Sequence, residues 1–260
     1  MDEIQSKIKF VNVSKSFLNH KKEDRILTDL NFEIFAEEFV CVLGPSGSGK
    51  STILGLIAGF IKSNSGEVLF NSKPIKRPDS SRALVFQEYA LFPWLNILDN
   101  VAFGLTAKNY SKTKARETAL EYLNLVGLSG YKDHSVNQIS GGMRQRVAIA
   151  RALAVDPEVL LLDEPFGALD QQNRENMQIE LLRLFSKTRK TIVFVTHSVD
   201  EALKLADRIL VIGNKPGRLL LDITVPVSRP RDFNSPALFS VRNKILDKLA
   251  DPDFFIGADI

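Results

Sequence analysis

Residues Gly44-Pro45-Ser46-Gly47-Ser48-Gly49-Lys50-Ser51 fit the pattern G-x-x-x-x-G-K-[ST]. The apolar, β-prone run Phe39-Val-Cys-Val-Leu43 precedes them, and Ile53, Leu54, Leu56, Ile57 and Phe60 recur behind them at helical spacing. Strand, glycine loop and helix in that order are the setting in which such a loop cradles phosphate. Its backbone N–H groups can surround the oxygens, and the new helix points its positive end at them. Lys50 would neutralise the β- and γ-phosphates, and the Ser51 hydroxyl would ligate Mg2+. A bare glycine turn is the competing reading, and the flanking strand and helix weigh against it. The stretch reads as a nucleoside-triphosphate site.

The chain around it has 260 residues, enough for one large domain with a sizeable apolar core. Its 34 basic and 31 acidic residues leave a net charge of +3, too even to argue for a nucleic-acid surface. The single cysteine, Cys41, sits in the apolar strand before the loop. It cannot form a disulfide within the chain and reads as a small buried hydrophobe. Met1 to Lys7 lack the apolar core of a secretory signal, and no apolar run approaches the ~18 residues of a membrane span. A soluble, intracellular chain is expected, with any membrane association made through a partner.

Alternation in Lys9-Phe-Val-Asn-Val13 and Leu30-Asn-Phe-Glu-Ile34 predicts two strands, with the polar stretch Leu18–Asp24 as the loop between them. Gly66–Phe70, the turn-prone Asn71-Ser72 and Pro74-Ile75 predict a hairpin, and Ala83–Phe86 another short strand. From Tyr89 to Ser140 the pattern is mostly helical. Ala115, Ala119, Tyr122, Leu123 and Val126 share one face of Lys112–Val126, with Gly127 as a stop. Val159–Leu162 and Ile192–Val195 are wholly apolar, as expected of central parallel strands. After about Arg229, Pro230–Pro236 reads as a linker, Phe239–Leu249 as a short amphipathic helix, and Asp251–Ile260 as an irregular tail.

Two further clusters carry chemistry. The strand Val159–Leu162 runs into Asp163 and Glu164. In a phosphate-loop fold the first acid reaches Mg2+, and the second orients or deprotonates the attacking water. Two solvated acids at a strand end are the plain alternative. Ser140-Gly141-Gly142 opens a helix 23 residues before Asp163 and offers a hydroxyl, close backbone approach and a helix N-terminus to an anion. Alone, it is more often an ordinary N-cap.

Taken together and in this order, the motifs resemble the nucleotide-binding subunit of an ATP-binding cassette transporter, over about Lys9 to Lys248. The family's signature motif matches Ile139–Met143, with Ile for the usual Leu and Met for the usual Gln. The resemblance implies an α/β P-loop NTPase (RecA-like): a parallel-sheet core, an N-terminal antiparallel β subdomain and an inserted α-helical subdomain. Core and β subdomain would span 1–88 and 154–230, the helical insertion 89–153, and a C-terminal extension 231–260. It further implies that Gly44, Pro45, Ser46, Gly47, Ser48, Gly49, Lys50, Ser51 and Thr52 hold ATP, with Phe17 stacking on adenine. A core or loop phenylalanine is the rival reading of Phe17. Ser51, Gln87 and Asp163 would serve Mg2+, Glu164 would be the general base, and Gln87 and His197 would position water and phosphate. Gly167–Asp170 matches the segment after the catalytic acid. His20 and His134 read as surface residues. Ser198 departs from the Asp common after the switch histidine.

By the same resemblance, Ser140, Gly141 and Gly142 would face the γ-phosphate of ATP held by a second copy, so a head-to-tail homodimer is implied. Other implied partners are membrane permease subunits and, indirectly, a substrate-binding protein, at the cytoplasmic face of the inner membrane; nucleic acid is not expected. Phe92 and Trp94 are the candidate contacts to the permease. Phe-Pro-Trp-Leu-Asn-Ile-Leu-Asp-Asn100, the Met of the signature motif, Pro216-Gly-Arg and Pro230-Arg-Asp look most like importers of the nitrate, sulfonate and taurine type. Another small-molecule or lipid transporter, or a non-transport cassette ATPase, is the alternative.

Overall fold

The structure, a computed structural model, describes residues 6–19, 22–167 and 169–250. His20, Ala168 within Gly167–Asp170, the first five residues and the tail 251–260 lie outside the described residues. The strands are β1 (Ser6–Asn19), β2 (Lys22–Phe35), β3 (Phe39–Leu43), β4 (Ser65–Phe70), β5 (Lys73–Pro74), β6 (Arg82–Val85), β7 (Val159–Asp163), β8 (Thr191–Thr196), β9 (Arg208–Ile212) and β10 (Leu219–Thr224). The helices are α1 (Lys50–Ala58), α2 (Ile97–Ala107), α3 (Lys112–Leu125), α4 (Gly141–Ala154), α5 (Gln171–Thr188), α6 (Val199–Leu205) and α7 (Pro236–Ala250). They fall into two compact units, Met1–Pro78 with Thr191–Ile260, and Asp79–Lys190.

The first unit holds an antiparallel sheet in the order β2-β1-β4-β5. Ile8, Phe10 and Val13 pair with Ile34, Phe32 and Leu30, and all six are buried. Alternation thus puts one face of the ribbon into the core, and the Phe10 and Phe32 rings stack at 4.3 Å. The expected loop Leu18–Asp24 is corrected by the structure: Phe17, Leu18 and Asn19 pair with Asp24, Glu23 and Lys22. Backbone pairing needs no apolar side chain, so a polar ribbon end is invisible to a hydrophobicity pattern. The predicted hairpin is present as β4 and β5.

In the same unit β3 lies between β8 and β9, parallel to both, and β10 runs antiparallel on β9. Every residue of β3 and β8 is buried, as expected of strands covered on both faces. Burial pushes the Cys41 thiol well above its ordinary pKa, which agrees with a packing role. α1 ends before Gly59, so Phe60 lies past the helix and is exposed. α7 buries Leu238, Val241 and Ile245, one turn apart, and packs on α6 and β10. The stretch read as a linker is irregular but tied down by Arg229 and Arg231, which donate to the Leu205 and Leu203 carbonyls.

The second unit pairs β6 and β7 in parallel and carries α2 to α5. α2, α3 and α4 pack on one another, α3 through the predicted Ala115, Ala119 and Leu123. Helix begins at Ile97 rather than Tyr89, because Tyr89 and Ala90 both have left-handed backbone, φ 53° and 45°. His134 is half-buried, edge-on to Tyr131. Among the described residues, no helix is long and apolar enough to cross a membrane.

Candidate functional site

The phosphate loop is built by the first unit. From the end of β3 the chain turns through the loop and enters α1 at Gly49, whose φ of 92° a side chain would rarely adopt. A Cβ there would also stand 2.5 Å from a Leu27 methyl carbon. As N-cap, Gly49 offers no side-chain acceptor, and the first turn of α1 holds no acid. The positive end of the helix is therefore left for an external anion. Lys50 is 5% exposed, and its Nζ donates to the Pro45 carbonyl at 2.7 Å, folding the ammonium back over the loop. Ser48 Oγ is buried with no hydrogen-bond partner. An uncapped helix start, an inward lysine and an orphaned hydroxyl fit a polyphosphate.

His197 stands at the end of β8, exposed, on a turn braced from beneath. Thr196 Oγ1 donates to Glu201 Oε2 at 2.6 Å, and Ser198 N–H donates to Thr196 Oγ1 at 3.0 Å. Ser198 caps α6, its Oγ accepting from Glu201 N–H at 3.3 Å. Serine and aspartate are comparable N-caps, which accounts for the departure from Asp at this position. Phe17 is 42% exposed on β1, with Lys15 Nζ 4.7 Å from its ring centre. It belongs neither to the core nor to a loop, and the exposed ring face suits stacking.

The second unit holds the acids. β7 is buried up to Asp163, which is half-exposed, and Glu164 follows with φ 41°, unusual for a residue with a side chain. Gly167 N–H donates back to the Glu164 carbonyl at 3.1 Å. A Cβ on Gly167 would stand 3.6 Å from Gln87 Nε2, so the exposed glutamine after β6 and the turn after the acids are neighbours. Asp170 caps α5, and the Asn173 backbone N–H, then its side chain, hold the Asp170 carboxyl below the usual range. Ser140 caps α4, accepting from Met143 N–H at 3.3 Å. A Cβ on Gly142 would meet nothing within 4 Å, and no acid lies in the first turn. This helix start, too, is open to an anion.

Comparison with known proteins decides the family. The family profile described as ABC transporter matches residues 27–167, more than half of the chain, and this span contains both anion-ready helix starts and both acids. The chain belongs to the ABC transporter family. It is 45% identical over 245 residues to the bicarbonate transport ATP-binding protein CmpD of Synechocystis, covering 92% of this chain and 87% of that one. It is 46% identical over 200 residues to the taurine import ATP-binding protein TauB of Roseobacter denitrificans, covering 77% and 75%. A dimeric ATP-binding cassette solved in a post-hydrolysis state with ADP and Pi superposes with a TM-score of 0.75 at 35% identity, covering 85% of this chain and all of that one. The cassette is an α/β P-loop NTPase, and it is an ATPase.

Among the described residues no three His, Cys, Asp or Glu side chains gather as a metal cage. Mg2+ rides on substrate phosphates and takes only one or two protein oxygens, and the Ser51 hydroxyl and Asp163 carboxylate are hard oxygen donors of that kind. Several supporting residues of the cassette escaped sequence reading. Gly217 lies under the phosphate loop, its N–H donating to Ile26 O at 2.7 Å and its carbonyl accepting from Thr28 N–H at 3.0 Å. Asn100, fully buried, makes four hydrogen bonds to the Phe92–Asn96 turn. Arg151 donates to the Ala90 and Tyr89 carbonyls at 2.7 and 3.0 Å and lies 5.3 Å from the Phe92 ring centre. A polar residue within an apolar helical stripe was the available signal for Asn100; Gly217 was noticed only within Pro216-Gly-Arg, with no support role attached, and Arg151 gave no signal.

Proposed function

We propose that this ATPase drives import of a small anion, of the nitrate, sulfonate or taurine kind, through separate membrane permease subunits fed by a substrate-binding protein. The observation that carries the ATP reading is the uncapped start of α1 with Lys50 folded over it. The importer reading is supported by relatives named for bicarbonate transport and taurine import. The cassette would sit peripherally at the cytoplasmic face of the inner membrane, held by its permease.

In this reading residues Gly44 to Thr52 bind the triphosphate, and Phe17 stacks on the adenine. Ser51, Gln87 and Asp163 hold Mg2+, which when bound neutralises charge on the β- and γ-phosphates. Glu164 takes a proton from the attacking water while a new O–P bond forms and the bond to ADP breaks. Gln87 and His197 orient the water and the γ-phosphate. A second copy supplies Ser140, Gly141 and Gly142, whose N–H groups donate to the same phosphate; a related cassette solved as a dimer supports this. One loop covers only part of a polyphosphate, and donors from another side complete it. Phe92 and Trp94 receive the permease: the Phe92 ring lies 4.4 Å from Phe103 and 5.4 Å from Trp94, and Trp94 is 75% exposed.

The test is Glu164→Gln with saturating Mg-ATP. Turnover should fall roughly 10²–10⁴-fold while ATP still binds, and the subunit should pair by light scattering in the presence of its permease. Unchanged turnover removes Glu164 from this role, and cassettes that stay single with ATP bound overturn the shared site.

A further inference from the structure

α6, the helix that leaves the His197 turn, is only seven residues long. A helix of two turns does not hold its shape unaided, and the carbonyls of its last turn have no partner within it. Downstream arginines meet two of those carbonyls. Arg229 Nη1 donates to Leu205 O at 2.7 Å, and its Nη2 pairs with Asp207. Arg231 Nη1 donates to Leu203 O at 2.6 Å, while its Nε donates to Val227 O at 2.8 Å. Two guanidinium groups thus sit at the negative end of the helix, where a cation is favoured. The site is poorly solvated: burial first, and Arg229 second, push the Arg231 pKa down to about 10.

The other end of α6 is approached from α7. Arg242 Nε stands 3.4 Å from Asp200 Oδ1 in the first turn. Both side chains are exposed, so this pair contributes little by itself, but α7 also packs on α6 through its buried face. From inside α6, Glu201 accepts the Thr196 hydroxyl, which in turn accepts Ser198 N–H. The turn carrying His197 is therefore tied to α6, and α6 to the chain after residue 226.

We infer that Arg229 and Arg231 are positioning residues for His197, and that the segment 226–250 thereby governs the rate of hydrolysis rather than the grip on nucleotide. The inference rests on the proposed contact of His197 with the γ-phosphate. Nucleotide is gripped by residues 44–52, so affinity and rate are separable.

A double-mutant cycle on the full chain tests it, reading steady-state ATPase against ATP concentration for Arg231→Met, His197→Ala and the pair. Arg231→Met should lower kcat about tenfold and leave KM within about twofold, since small displacements of a positioned group cost rate. In the His197→Ala background the same change should cost less than about twofold. Arg231→Lys, which keeps charge but loses the fork, should regain part of the rate; if Arg231→Met does not fold, the cycle is run with Arg231→Lys. Wild-type kcat, or equal losses in both backgrounds, overturns the positioning role. His197→Ala with undiminished kcat overturns instead the reading of His197 on which it stands.

Discussion

Gly217 backs directly onto Ser48: a Cβ on Gly217 would stand 2.2 Å from the Ser48 carbonyl oxygen. No side chain fits there without moving backbone, and the backbone on the far side is the phosphate loop. Gly217→Ala should weaken ATP binding at least tenfold and cost about 1–3 kcal/mol of stability. Calorimetric titration with ATP and a thermal melt check both. Wild-type affinity would show that the loop does not depend on this contact.

Lys50 is buried, with its ammonium on a loop carbonyl. Lys50→Ala should lose about 2–5 kcal/mol of ATP binding, the usual cost of deleting one partner of a buried charged pair. Stability should change little, because burying an ammonium is itself costly. Equilibrium binding of a fluorescent ATP analogue measures the first, and denaturant unfolding the second.

Trp94 is the chain's single tryptophan, exposed beside Phe92. Trp94→Ser should leave stability within about 0.5 kcal/mol, as surface changes do. It should reduce co-purification with the permease and transport-linked ATPase. In the unaltered chain, Trp94 fluorescence should shift to the blue on assembly; an unchanged spectrum would place the permease elsewhere.

Cys41 is buried, and desolvation raises its thiol pKa well above 9.0. The native thiol should resist alkylation at a pH where an unfolded thiol reacts readily. A raised folded pKa means that, above the unfolded pKa, the unfolded chain releases a proton which the native chain retains. Stability from this group is thus full at neutral pH and falls as pH rises past about 9. Alkylation timed against unfolding, and melts from pH 7 to 10, report each.

Much of the cassette was legible because its signals are local. The phosphate loop is written in glycines, one lysine and the strand and helix around them, and β7 and β8 in unbroken apolar runs. The ribbon of β1 and β2 was half legible: its apolar face alternates, but its polar end pairs through backbone alone. The Pro230–Pro236 stretch is irregular, as a linker should be, but its anchoring was not legible, since Arg231 acts on a carbonyl 28 positions away that carries no side-chain signal.

By itself, the sequence determined the chemistry on offer: a loop that can hold triphosphate, a strand ending in Asp163 and Glu164, and a helix opening at Ser140. These depend on residue type and short spacing, which are the same in any fold that keeps the segment intact. Only the tertiary structure decided what holds those groups still: Gly217 under Ser48, Thr196 and Glu201 beneath His197, and Arg229 and Arg231 on the end of α6. Such contacts join residues distant in the chain and often end on backbone carbonyls. Every residue has a carbonyl, so no sequence pattern marks the one that will be used.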